Sequence, residues 1–165
     1  MDEQINSRQY ALKYGVILGL VGTLVWVLPA ALRLSISILF LVYWAYFVGV
    51  FYLALSAFRK ANGGIMSFGQ GFGIVMLATL IGGAVRAVLR YAYLVFDGGY
   101  FEFALEAQQN SPFAQPESTE EAAGFMEAIF TPGGFAIMSF IGAIFAGLIF
   151  GAIVSAVMKN EAEEF

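Results

Sequence analysis

The chain has 165 residues, 60% of them hydrophobic and 12% charged, about half the ~25% charge of a soluble domain. Its mean hydropathy is +0.79, and no soluble fold of this length could bury so much apolar surface, so a bilayer is its natural solvent. A formal charge of −4 with only eight scattered Lys and Arg residues excludes the basic face that nucleic acids require, and the lack of Cys and His excludes disulfides, thiolate nucleophiles, zinc–thiolate and iron–sulfur sites, and the commonest general base.

Residues 14–32, 34–58, 61–85 and 128–158 carry no formal charge. Each run is close to or beyond the ~20 apolar residues that a helix needs to cross a bilayer. The first crossing is predicted over residues 9–28. It ends at Pro29, because proline disfavours helix in the residue before it. It reads as a membrane helix and not as a cleaved leader: Asp2 and Glu3 spoil a basic start, and Pro29 stands where a small residue is wanted. Pro29-Ala-Ala-Leu-Arg33 is then a tight connection. The second crossing is predicted over residues 35–58 and is dense in aromatics, among them Tyr43, Trp44, Tyr46, Phe47 and Phe51. Arg59-Lys-Ala-Asn-Gly-Gly64 is a strong turn signal. Ser67-Phe-Gly-Gln70 reads as a capping box that opens the third crossing, residues 68–96.

The loop over residues 97–131 differs in kind. It holds the acids Asp97, Glu102, Glu106, Glu117, Glu120, Glu121 and Glu127 and no Lys or Arg. A short helix is expected over residues 100–108. A second capping box, Ser118-Thr-Glu-Glu121, precedes Ala122, Phe125, Met126, Ile129 and Phe130, which fit the template of an amphipathic surface helix. These acids lack the spacing of a calcium loop, and helix starts explain several of them, so no metal site is expected. Pro132-Gly-Gly134 turns the chain into the fourth crossing, residues 135–158, followed by a short acidic tail over 159–165. The expected fold is all-α: a single membrane domain over residues 1–165, built as a four-helix bundle with short amphipathic helices between the third and fourth crossings.

Orientation follows from basic residues near helix ends. Arg8, Lys13, Arg59, Lys60 and Lys159 fall on one side, and Arg33 stands alone on the other. Both termini are therefore expected in the cytoplasm and the acidic loop outside it.

Only Arg86 and Arg90 interrupt a crossing in its interior. With Ala78 and Gly82 they form a stripe along the third helix. Arg86 lies ~15 Å and Arg90 ~9 Å below the end near Phe96, at ~1.5 Å rise per residue. Arg90 can snorkel to the interface. A charge at the depth of Arg86 costs ~2.5 to 3.5 kcal/mol on insertion scales, and none of the four crossings carries an acid to offset it. Acids of the loop such as Asp97, Glu102 or Glu106, helix carbonyls and hydroxyls such as those of Ser139 or Tyr91, an anionic lipid or solute, and a partner's acid all remain open as its counterparts. The stripe Ala143, Gly147, Gly151 and Ser155 on the fourth helix, and Gly15 and Gly19 on the first, are helix-packing faces that either close the bundle within the chain or dock a partner.

Several local patterns are similar to those of a bacterial inner-membrane family, domain of unknown function 4199. They are Ala11-Leu-Lys-Tyr-Gly15 with Leu18-Gly19, Ser67-Phe-Gly69 with Phe72, the Tyr91 and Tyr93 pair, and Thr131-Pro132-Gly133 leading to Ala156-Val-Met-Lys159-Asn160. The family pattern often carries Glu where Gln70 stands. The resemblance spans essentially the whole chain and implies a four-helix bacterial inner-membrane protein with a helical loop before its last helix. It implies no activity.

No catalytic set is evident, so the expectation is a non-enzymatic accessory or scaffold subunit of a membrane complex, without a cofactor. Membrane lipids are its expected partners, together with another membrane subunit or a second copy through the fourth crossing. The alternative is a small transporter, channel or anionic-lipid-binding module that uses the Arg86 and Arg90 stripe.

Overall fold

Asn6 starts the first helix by accepting the Arg8 N–H with its side chain at 3.1 Å. The computed structural model describes residues 6–34, 39–109, 124 and 128–160. The expected capping box at Ser118 and most of the amphipathic segment after it lie outside these residues. The helix opened by Asn6, α1 (Ser7–Ala31), runs through Pro29 and does not stop before it. Pro29 lies in the last turn, so its missing N–H deprives only the Val25 carbonyl, close to the helix end, of its helical partner. The end is closed instead by two backbone bonds, Arg33 N–H to Ala30 O at 3.1 Å and Leu34 N–H to Pro29 O at 3.0 Å. This is the Schellman pattern, and its left-handed position is filled by Arg33 at φ 51°, where glycine is usual.

α2 (Leu39–Ala61) ends with Arg59 and Lys60 in its last turn, favourable against the helix dipole. Gly63, at φ 66°, closes it, and Gly64 N–H reaches back to Arg59 O at 2.8 Å. α3 (Phe68–Phe96) opens on the expected capping box: Gln70 N–H donates to Ser67 Oγ at 3.2 Å, and Ser67 N–H to Gln70 Oε1 at 3.0 Å. α4 (Tyr100–Gln109) is the short helix expected in the acidic loop. α5 (Pro132–Met158) starts earlier than expected, because Thr131 caps it through Gly134 N–H at 3.0 Å and Pro132 sits where its missing N–H costs nothing.

α1, α2, α3 and α5 are long and apolar enough to cross a membrane. The protein is a multi-pass, all-α membrane bundle. α3 is its axis, with α1 and α5 on either side and α2 closing the ring between those two. The two seams with α3 are made of small residues. A Cβ on Gly15 would fall 2.9 Å from Ala78 O, and one on Gly82 2.6 Å from Gly15 O. On the other side, a Cβ on Gly147 would meet Thr79 Oγ1 at 2.6 Å, and one on Gly151 would meet Val75 at 2.6 Å. Such contact lets helices pack backbone to backbone where no water exists to drive them together. α2 contributes bulk instead: Phe47, Phe51, Leu55 and Phe58 are buried against Leu18, Val75 and Val154. At the end bearing the chain termini, Met66 and Asn160 exchange two backbone bonds of 2.8 Å, and Arg59 donates to Met158 O at 3.2 Å.

Candidate functional site

Both arginines of the stripe point into the bundle near its α4 end. Arg86 is 1% exposed, the largest fully buried side chain among the described residues. Its Nη1 donates to the Tyr43 hydroxyl at 2.5 Å and to the Tyr46 hydroxyl at 3.4 Å, and its Nη2 donates to the Ser139 carbonyl at 2.7 Å. Its guanidinium also lies 5.5 Å from the Tyr43 ring centre and 5.3 Å from that of Phe47, within cation–π range. Of the open counterparts for this charge, helix carbonyls and hydroxyls are the ones in place. Tyr91 is not among them, since it faces outward.

Tyr46 passes its own proton to Leu18 O at 3.1 Å. Room for its hydroxyl exists because residue 22 is glycine, where a Cβ would collide with that oxygen. Gly22, Tyr43 and Tyr46 were not legible as Arg86's surroundings. The visible signal was a pair of tyrosines three apart on a helix, set among too many other aromatics to stand out.

Arg90, one turn on, is 8% exposed and differently placed. Its guanidinium sits 4.0 Å over the Trp26 ring. Among the described residues it makes no hydrogen bond, and its Nε is buried without a partner. It lines a cavity of ≈ 260 Å³ walled by α1, α2 and α4, including Trp26, Ala30, Tyr43, Trp44, Tyr100 and Phe103.

The loop acids left open as counterparts are not at the stripe. Asp97, the cap of α3, accepts both Nη groups of Arg33 at 2.8 and 2.9 Å and the Tyr93 hydroxyl at 2.6 Å. The Arg33 contact first, and Tyr93 second, hold the Asp97 carboxyl below the usual carboxylate range. Arg33 also covers α4, 6.0 Å from the Tyr100 ring centre and 5.5 Å from that of Phe103. Glu102 and Glu106 are exposed.

The predicted packing residues lie elsewhere in the bundle. Gly15 and Gly19 meet α3 at Ala78 and Gly82, and Gly147 and Gly151 meet it at Thr79 and Val75. Ala143 and Ser155 are likewise buried, the latter fully. The structure brings Arg86 and Arg90 to one end and spreads these small residues along the two seams of α3.

Comparison with curated proteins and with solved structures returns no match. Comparison with protein families returns one, described as "Protein of unknown function (DUF4199)", over residues 13–160. That match takes in α1 from residue 13 on, the other three crossings, both arginines and the loop between α3 and α5, and the chain belongs to this family.

Proposed function

We propose that the protein is a non-enzymatic binding protein of the membrane that holds an anionic group at Arg90. Arg90 itself supports this reading. The Nε of both arginines is buried without a partner, but only Arg90 also lacks a hydrogen bond at either Nη among the described residues. A guanidinium so withdrawn from water is costly, and the cost falls when an anion completes its fork. Arg86 does not compete for that anion, because its Nη groups are already used. The small-residue faces that motivated an accessory-subunit reading are filled by α3 within the chain, so they lend that reading no support. The basic residues at the terminal end and the lone Arg33 at the other support an orientation with termini in the cytoplasm and α4 outside it, in the bacterial inner membrane.

The chain carries its own reporter. Its only two tryptophans, Trp26 and Trp44, both line the cavity. Inorganic phosphate, acetate and dodecyl phosphate, each titrated into protein in neutral maltoside micelles, should include at least one anion that changes tryptophan emission saturably. Arg90→Met should abolish the response and the exposed-site control Arg8→Met should keep it. Emission that stays flat with every anion overturns the reading.

A further inference from the structure

Resting on that reading of Arg90, the geometry points to the ligand's class and its way in. We propose that the ligand is an anionic lipid of the leaflet adjoining the α4 end. Its headgroup is held by Arg90 and the Tyr43 hydroxyl, and its acyl chains stay in the bilayer beside α1 and α2.

Depth is the first ground. α3 has 29 residues, so it is ~43 Å long at ~1.5 Å per residue and overhangs a ~30 Å hydrocarbon core by ~6 Å at each end. Arg90 lies ~9 Å below Phe96 along that helix, which puts its Cα within ~3 Å of the hydrocarbon boundary. A long side chain there works at headgroup level.

The second ground is the shape and lining of the cavity. At ≈ 260 Å³ it is smaller than the ~300 Å³ at which small-molecule pockets begin, enough for a headgroup and too little for a whole lipid. Apart from Arg90 and the phenols of Tyr43 and Tyr100 its walls are apolar, a poor lining for a fully hydrated anion. The α4 side is closed by Tyr100, 3% exposed. On the α1–α2 side, Leu34 in the rim is 49% exposed, and Leu28 of α1 and Leu41 of α2 are 58% and 74% exposed. Among the described residues, the exposed leucines of α1 and α2 suit contact with lipid on that flank.

The third ground is a second donor. Tyr43 lines the same cavity and accepts from Arg86, and its own proton has no acceptor among the described residues. A hydroxyl that accepts from a cation is a stronger donor in turn. Arg86 therefore acts on the headgroup through Tyr43, and Arg90 acts on it directly.

Quenching of the two cavity tryptophans by brominated lipid tests this. The protein is placed in nanodiscs of phosphatidylcholine in which a small fraction of lipid carries brominated chains, either as phosphatidylglycerol or as phosphatidylcholine. Brominated phosphatidylglycerol should quench more strongly and saturate, and Arg90→Met should remove the difference. Tyr43→Phe should weaken it. Equal quenching by the two lipids in the wild type overturns the inference without needing any variant to fold. If any of the three anions still changes emission in micelles through Arg90, the anion reading survives that failure, and if none does, both fall. A preference that Arg90→Met leaves intact also overturns the inference. So does a wild type that shows no preference and gains one when Glu117, Glu120, Glu121 and Glu127 are changed to Gln, because the chain's own loop is then the occupant.

Discussion

Arg86 and Arg90 stand one turn apart on the same helix, with the same side chain and nearly the same burial. Around Arg86 the bundle supplies two phenol oxygens, a carbonyl and two aromatic faces. Around Arg90 it supplies one indole face and an open cavity. The difference comes from the neighbouring helices. α2 and α5 approach α3 at Arg86, bringing Tyr43, Tyr46 and Ser139. One turn higher, α4 covers the end of the bundle with Tyr100, which lines the cavity but makes no hydrogen bond to Arg90. A buried charge met by neutral acceptors ties helices together, and a buried charge left open toward a cavity is available to something else. This contrast is the ground for proposing a structural role for Arg86 and a binding role for Arg90.

The contrast has measurable consequences. Arg86→Ala should be the most damaging change, costing ~2 to 4 kcal/mol through lost packing and lost hydrogen bonds, read as a lower midpoint of thermal unfolding in detergent. Arg86→Met keeps the length and drops the charge, so its cost should be smaller. Gly22→Ala should come next at ~1 to 3 kcal/mol, because the added methyl displaces the Tyr46 hydroxyl. Its control is Gly49→Ala. Nothing lies within 4 Å of a Cβ there, so the substitution should stabilise the helix by up to ~1 kcal/mol. Arg90→Met should change stability less than Arg86→Ala in lipid-free micelles, since it gives up the Trp26 ring contact but no protein hydrogen bond, while abolishing the anion response. If Arg90→Met unfolds the protein as Arg86→Ala does, the two arginines share one structural role and the contrast fails.

The smallest effect belongs to the clasp between Arg33 and Asp97. Because the Asp97 carboxyl titrates below its ordinary value, the clasp contributes fully above the usual Asp range near pH ~4 and is lost as pH falls through the lower folded value. Stability should therefore be flat from neutrality down to mildly acidic pH and decline only below that. Asp97→Asn should remove the acid-side decline attributable to this pair. The same decline in wild type and Asp97→Asn would show that another group causes it.

Much of the fold was legible because charge is scarce in bilayers: the gaps between charged residues outline four helices, and Ser67 with Gln70 marks the start of α3. The end of α1 was harder to read. Pro29 looked like a stop, but the actual closure depends on Arg33 adopting a left-handed conformation that its pairing with Asp97, 64 positions away, helps to hold. The arginines stood out as charges, but their surroundings did not. In a soluble helix, polarity shows which face turns outward. Here Phe145 is 61% exposed while Ala143 and Ala146 are 1% and 2% exposed, and every one of them is apolar. Helix rotation, and with it the identity of Arg86's partners, is set by where small residues let backbones touch, and a hydropathy pattern does not carry that information.

The distribution of Arg86's partners along the chain also bears on the order of biosynthesis. Tyr43 and Tyr46 belong to a helix made before Arg86 emerges, and Ser139 to one made long after it, since chains assemble from the N-terminus. The nascent three-helix stage must shelter this guanidinium with the phenols and the Phe47 ring of α2, and the final carbonyl locks it when α5 enters. Truncation before Ser139 should thus yield an insertion intermediate whose third helix sits less securely in the bilayer than it does in the finished chain.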